Sequence, residues 1–399
     1  MRTADVLVIG GGLVGCATAC RLAEAGASVE VVEASYPNAG ASGANAGSLH
    51  FQIERRFLEN GEALAEQAAQ ILSLNRLAIE EWRRLEADLG ADLHVHMRGG
   101  LMVASTAAEV ATLQAKADRE ARGGLATRLI DGDEARRLAP ALSTSILAAT
   151  YLEDEGHADP KAVTPAFAAR AQALGARITL GARVVAVRRI RKGYVATVQT
   201  RTSAFEICAP KVLIAAGAWS ARIGELFNLH LPLYPVALQM NVTERAEPFL
   251  DQLIQHVGRR LSMKQAHAGN LLIGGGWPSK MALDASGRFD FERPPELLDA
   301  SLNGNLAVAV DVMPRVAQMN LIRTWTAITA ISADQLPLVG PVPQARGVFV
   351  AAGGSAFTLG PIFARLLARR ILDQAEDRLD LFSPARFNHL NSFMGMSDA

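Results

Sequence analysis

Three glycines constrain this chain more than anything else in it. Gly10, Gly12 and Gly15 form a G-x-G-x-x-G run. An apolar segment at 5–10 leads into it, an Ala-rich stretch stopped by Gly26 follows, and a second apolar segment at 28–33 ends in Glu33. Strand, glycine turn, helix and strand within about 30 residues predict a βαβ unit. Gly10 permits the tight turn, Gly12 lets a pyrophosphate approach the backbone, and Gly15 lets the helix lie close to the strand. The helix start adds N–H groups and a partial positive charge for that pyrophosphate. Glu33 falls where ribose hydroxyls would lie, and an acid there favours a free ribose over a 2′-phosphate. The run alone does not choose between FAD and NAD.

The 399 residues give room for two to three domains, and 50% hydrophobic content allows a sizeable core. Lys+Arg and Asp+Glu both number 40, so no basic excess exists for a nucleic-acid backbone. The densest basic run, Arg188, Arg189, Arg191 and Lys192, reads as a solvated turn between two strands. Three cysteines, Cys16, Cys20 and Cys208, exclude a disulfide framework and a four-cysteine iron–sulfur or zinc site within the chain. Cys16 and Cys20 read as small core residues on one helix face. No apolar run reaches the roughly 18 residues that span a bilayer, and the first apolar segment begins too early for a signal peptide. The expected location is the cytoplasm, with peripheral attachment to the inner membrane compatible.

Further along, a small-residue loop covers 37–48 and a long helix is expected over 59–89, where Leu64, Ala68, Ile71, Asn75, Ile79, Trp82, Leu85 and Leu89 recur at helical spacing. A strand at 98–105, a polar helix at 107–122 and a helix from Asp159-Pro160 to Gly175 follow. From 229 to 331 the period changes to two, predicting a largely antiparallel sheet from 231–242, 260–265, 270–274 and 321–331, with a helix near 295–306. The expected organisation is α/β (α+β): a Rossmann-like dinucleotide-binding domain from 1–90, 150–225 and 330–375, an inserted, mostly antiparallel substrate domain from 91–149 and 226–329, and a C-terminal tail at 376–399.

Three more segments choose the flavin. The run Lys211-Val-Leu-Ile-Ala-Ala-Gly217-Ala-Trp219-Ser220 resembles the late strand and turn of FAD-binding oxidoreductases. Asp334-Gln-Leu-Pro337-Leu-Val-Gly340, with 348–354 and Phe357-Thr-Leu-Gly-Pro361, resembles their C-terminal flavin clamp. Ser42-Gly-Ala-Asn45-Ala-Gly47-Ser48 completes the set. Together they resemble the D-amino-acid oxidase family, in the branch of glycine oxidase, sarcosine oxidase and related amine dehydrogenases, from Asp5 to about Leu372. The resemblance implies FAD contacts from Gly10, Gly12, Leu13, Val14, Gly15, Glu33, Ala34, Ser35, Ser42, Asn45, Ala46, Gly47, Ser48, Leu49, Val184, Ala216, Gly217, Trp219, Gly354, Ser355, Ala356, Phe357, Thr358 and Leu359. It also implies an oxidation in which the flavin takes the electrons and the protein orients the substrate.

The family pattern fails at one telling place. Amino-acid-oxidising members carry Trp-Ala-Gly-Leu-Arg-Pro near the start of the clamp, and the Arg holds the substrate carboxylate. Here the run is Trp325-Thr-Ala-Ile-Thr329-Ala330, so Thr329 stands in for the Arg. Lys264 is the expected replacement cation, sharing a strand face with Ser262. Trp277 is a candidate pocket wall. His50 is a candidate at the substrate entrance, while Arg55 and Arg56 read as surface residues. His94 and His96 would share a strand face, but no third ligand is evident and no metal site is expected. The clamp contains no Cys, and Pro160 aligns with the His that carries a covalent FMN in the beta subunit of heterotetrameric sarcosine oxidase, so FAD is expected to be non-covalent.

Met263-Lys-Gln and Leu272-Ile-Gly-Gly-Gly-Trp-Pro278 resemble the beta subunits of bacterial opine, D-hydroxyproline and hydrogen cyanide-forming glycine dehydrogenases. The resemblance implies a catalytic FAD subunit that oxidises an amine or amino acid to an imine. Electrons would pass to partner subunits carrying an iron–sulfur centre, with an FMN in or shared with them. One alternative is a self-sufficient oxidase making hydrogen peroxide. The other is an FAD-binding scaffold without catalysis.

Overall fold

The computed structural model describes residues 1–59 and 61–388; the remainder of the expected tail, 389–399, lies outside the described residues. A six-stranded sheet runs in the order Leu338–Pro341, Val348–Ala352, Lys211–Ile214, Val6–Ile9, Val29–Val32, Arg177–Thr179. All of its pairings are parallel except that of Leu338–Pro341 with Val348–Ala352. Alternation assigns its two faces. Val6, Val8, Val29 and Val31 join a core with the helices Leu13–Glu24, Pro160–Ala173 and Gly360–Ile371. Leu7, Ile9, Val32, Val212 and Ile214 pack instead against a four-stranded sheet, Arg2–Thr3, Ala204–Ala209, Gly193–Thr200 and Ala182–Ile190.

An eight-stranded sheet runs Leu321–Ser332, Leu233–Arg245, Asn270–Gly274, Ser262–Gln265, Leu253–His256, Gly100–Ala104, Ala148–Leu152, Arg128–Asp131. It is antiparallel except where Leu253–His256 meets Gly100–Ala104. One face, with Leu101, Met263, Leu271 and Ile273, is covered by the helix Asp299–Val312. A two-stranded ribbon, Ser48–Leu49 with Gly156–His157, links the Asn45 loop to the start of the helix Pro160–Ala173.

Several expected elements differ in detail. The helix expected over 59–89 is two, Glu62–Ala69 and Leu72–Leu89, with a short helix Arg55–Leu58 before them. Tight i→i+3 bonds, Ile71 N to Ala68 O and Leu74 N to Ile71 O, break the run and restart it. The helix expected near 295–306 is Asp299–Val312, because Glu296 is bridged to Lys280 and keeps the preceding Pro-Pro segment extended. Arg188 and Arg189 belong to the strand Ala182–Ile190, so only Arg191 and Lys192 form the turn. The polar helix at 107–122 is present as Ala107–Arg122, opened by a capping box in which Thr106 and Glu109 satisfy each other's backbone N–H groups.

Candidate functional site

The glycine turn is built as its spacing demands. Gly10 has φ +114°, and a Cβ there would lie 2.4 Å from Ala215 O. A Cβ on Gly15 would lie 2.1 Å from Gly10 O, so the helix Leu13–Glu24 can approach its strand only through glycine. Gly12 differs: a Cβ would meet only the Ser42 hydroxyl, at 3.1 Å, and otherwise open space. Glu33 closes the end of the turn, accepting Gly11 N at 2.6 Å and Ser35 N at 2.8 Å. Ala34 and Ser35 are exposed beyond it. Leu13 and Val14 are buried, so their backbone, not their side chains, borders the turn. Val184 is buried just after Ala182, whose N–H reaches Glu33 O at 2.9 Å.

The other expected flavin segments converge on this turn. Ser42 Oγ accepts Leu13 N at 3.0 Å. Asn45 ties its own loop, donating to Ser42 O at 2.6 Å and accepting Gly47 N at 2.6 Å. Gly47, at φ +74°, is pressed to within 2.0 Å (Cβ position) of Ala158 O, and Ala46 is half-buried beside it. Gly217 has φ +52° with open space before it, and Trp219 N bonds Ala216 O at 2.9 Å. In the clamp Thr358 joins three segments. Its Oγ1 accepts His50 N at 3.3 Å and donates to Ser48 O at 3.4 Å, and its carbonyl accepts Trp82 Nε1 at 2.7 Å. Phe357 packs on Trp82 at 5.4 Å, Leu359 is buried, Gly354 and Ala356 are half-buried, and Ser355 holds φ +55°. Ser48 Oγ and His50 Nδ1 are buried without hydrogen-bond partners among the described residues. Orphaned polar atoms beside an open glycine cradle suit a polar cofactor such as FAD.

Register assigns the substrate side. Lys264 pairs with Leu272, Leu272 with Val242 and Val242 with Arg323. Ser262 pairs with Gly274, and Met240 pairs with Trp325 in the same row. Directly opposed residues share a face. Ser262, Lys264, Leu272, Met240, Leu238, Val236, Trp325, Ala327 and Thr329 therefore line one side of the sheet. Trp325 Nε1 donates to Ala44 O at 2.8 Å, and Ser262 Oγ lies 3.2 Å from His50 Nε2, so that side faces the Asn45 loop and the clamp. Its residues on the strand Leu233–Arg245 are half-buried, while Ala237, Gln239 and Asn241 on the other side are buried.

Lys264 is 2% exposed, with no hydrogen bond or ion pair among the described residues. Burial pulls its ammonium down to about 7, against a weak opposing pull from Asp159. His50 is held below its ordinary value by burial first, with the Lys264 and Arg56 charges adding and Glu54 opposing. Thr329 shares the face but not the place of Lys264. It lies six positions on from Arg323 of the Lys264 row, roughly 20 Å along the strand. Trp277 is not on this side. Its indole lies where a Cβ on Gly304 would be, against the helix Asp299–Val312, and its Nε1 bonds Arg260 O at 2.8 Å.

Sequence reasoning missed four side chains here. Arg56 is no surface residue: Nη2 reaches Ser355 Oγ at 2.9 Å and Glu54 at 3.1 Å, tying the His50 loop to the clamp. Behind the loop, Glu155 Oε1 accepts Phe51 N at 2.8 Å and Gln52 N at 2.9 Å, and Glu120 accepts Ile53 N at 2.5 Å. Lys116 Nζ bonds Glu120 at 2.9 Å and Gln52 Oε1 at 2.7 Å, all fully buried or nearly so. Desolvation raises Glu155 to about 7 despite those donors. Lys116 and Glu120 sit four apart on a polar helix, a pattern that reads as a solvated pair. His94 and His96 share no strand: His94 has φ +52°, and His96 bridges His157.

A nucleotide cradle facing a half-buried sheet defines a dinucleotide-dependent oxidoreductase. The family described as FAD-dependent oxidoreductase matches residues 5–370, and the chain belongs to it. Glycine oxidase of Geobacillus kaustophilus is 28% identical over 380 residues, covering 94% of this chain and 95% of that protein. Its crystal structure superposes with a TM-score of 0.82 at 24% identity, covering 96% and 98% of the two chains. One of the subunits of opine oxidase from Rhizobium meliloti is 24% identical over 397 residues, covering 97% and 99%. The chain is therefore FAD-dependent. No helix among the described residues is long and apolar enough to cross a membrane.

Proposed function

We propose that this chain oxidises the C–N bond of an amine or amino acid bearing a carboxylate, and that it works as the substrate-oxidising subunit of a larger assembly. The single observation that carries the reading is Lys264. A buried lysine whose ammonium makes no hydrogen bond or ion pair among the described residues, on the sheet face toward the flavin loops and with only the Asp159 charge to oppose its burial, is suited to an arriving anion. Candidate substrates are opines, D-hydroxyproline and glycine; the likeness to one of the subunits of opine oxidase supports partner subunits, and an iron–sulfur centre or an FMN in those partners is part of the same proposal.

When bound, FAD supplies the acceptor for the electron pair leaving the substrate C–H. The chain does the rest. Lys264 fixes the carboxylate. His50 is neutral at pH 7, so it can accept a proton from the substrate ammonium and leave the neutral amine that oxidation requires. Ser262 holds the imidazole from one side and Thr358 the His50 backbone from the other. Trp325, Ala327 and Leu238 supply the apolar wall. Non-covalent attachment is supported by a clamp without cysteine and by Pro160, which serves as the first residue of its helix.

Anaerobic mixing with a panel of amino acids, opines and imino acids tests this reading. A carboxylate-bearing amine should bleach the flavin, and Lys264→Ala should raise the half-saturating concentration roughly tenfold or more for a lost charge-assisted bond. If no amine bleaches the flavin while the full assembly turns over, the chain is a scaffold.

A further inference from the structure

We propose that His94, Asp159 and His267 form a binding site for a divalent transition-metal ion, with zinc as the ion that fits best. The inference is independent of the substrate reading. Three separate segments meet here: the loop before the His96–His157 bridge, the start of the helix Pro160–Ala173, and the tip of the hairpin joining Ser262–Gln265 to Asn270–Gly274. One ligand atom from each lies within 4.8 Å of the others.

Each ligand is prepared differently. Asp92 Oδ1 accepts His94 N at 2.9 Å and lies 3.2 Å from His94 Nδ1. A carboxylate on one imidazole nitrogen fixes the tautomer and leaves Nε2 for a metal, the usual outer support of a histidine ligand. Asp159 spends one oxygen on Lys161 N at 2.8 Å, capping its helix, and makes no ion pair among the described residues, so its second oxygen is available. His267 is exposed and makes no hydrogen bond among the described residues.

The His94 and His267 rings stack at 3.7 Å with 14° between their planes. Parallel stacked rings cannot both aim in-plane lone pairs at one ion. Binding therefore requires His267 to leave the stack and turn its ring edge inward, a rotamer change open to an exposed side chain at a hairpin tip. Two imidazoles and one carboxylate form a donor set suited to zinc, with water filling the remaining position. The bound ion would tie the hairpin carrying Lys264 to the helix start beside the flavin loop.

The test uses the flavin-loaded protein, stripped with a chelator, dialysed, and titrated calorimetrically with zinc chloride alone. One ion per chain and a raised melting midpoint are expected. His267→Ala, at an exposed position, and Asp159→Asn, which keeps an oxygen for the helix cap, should each weaken binding at least tenfold while retaining the flavin. X-ray absorption of the zinc-loaded protein should show two imidazole ligands. Failure to bind a stoichiometric ion overturns the proposal, and so does zinc binding that neither substitution weakens, since the ion then sits elsewhere.

Discussion

Glu155 grips Gln52 twice: Oε1 accepts the Gln52 backbone N–H and Oε2 accepts its side-chain amide, each at 2.9 Å. With Phe51 N also on Glu155 and Ile53 N on Glu120, three consecutive amides end on two buried carboxylates. Those amides hold in place the segment that presents His50 to Ser262. In Glu155→Gln the new amide would meet the Gln52 amide donor to donor, and flipping Gln52 would take its oxygen from Lys116. The expected cost is about 1–3 kcal/mol for the broken buried set, seen as a lower melting midpoint and a severalfold higher substrate requirement. Adding Gln52→Glu restores a donor–acceptor pair and should recover part of both. Wild-type melting and substrate dependence in the single variant would remove the clamp from the argument.

Lys264 gives a pH dependence with a definite sign. Its folded value is about 7 and its ordinary one 10.5. Below pH 7 it is protonated whether folded or not, and the full cost of burial is present. Between 7 and 10.5 the unfolded chain holds more protons, so this group makes stability rise with pH. Lys264→Met should therefore stabilise the protein near neutrality, by at most about 5 kcal/mol, and the gain should shrink by pH 10. Anion binding needs the ammonium form, so affinity for the substrate should fall above pH 7 in the native protein more steeply than in Lys264→Met. Half-saturation of flavin reduction from pH 6 to 9 measures both limbs, and parallel profiles would show that Lys264 does not hold the substrate.

Backbone-controlled features were legible in the sequence: the glycine turn, the Asn45 loop and the clamp depend on residues that can take φ above zero or approach closely, and those residue types are few. Alternation placed Ser262 and Lys264 on one face. It could not place Lys264 against Thr329, because that depends on which residues pair across three strand junctions. Trp277 was within its reach: counted on from Leu272 and Gly274, position 277 falls with Leu271 and Ile273 on the far side, where its indole meets Gly304. Lys116, Glu120 and Glu155 were invisible for another reason. Lys116 and Glu120 at helical spacing look solvated, as does an acid just after a turn such as Glu155, and only tertiary packing buries them.

Gly12 supplies a direct test of the cradle. A Val side chain at that position would fill the space next to Ser42 Oγ through which a pyrophosphate must pass. Gly12→Val should fold yet purify without flavin, with the loss of the flavin's visible absorbance as the readout. Acid precipitation of the native protein should release all of its flavin to the supernatant, and flavin retained in the pellet would contradict non-covalent binding.

How the reduced flavin is emptied depends on charge at the same face. Monomeric sarcosine oxidase, in the family this chain resembles, places a Lys on the strand closing its substrate sheet. The comparable strand here, Asn270–Gly274, turns Leu272 and Gly274 to the site and offers no cation. Transfer to O₂ develops negative charge as superoxide forms, and preorganised positive charge lowers that barrier. Lys264, paired with Leu272, is a buried cation on that face, but it loses its proton near neutrality and is engaged when a carboxylate is bound. The isolated chain should therefore reduce an artificial dye at least tenfold faster than O₂. Its residual O₂ reaction should decline from pH 6 to 9 as Lys264 loses charge, and Lys264→Met should abolish that slope. Co-expression with a cysteine-rich partner should give a stable complex in which the partner, not O₂, takes the electrons. Rapid peroxide formation by the lone chain, insensitive to Lys264→Met, would instead make it a self-sufficient oxidase.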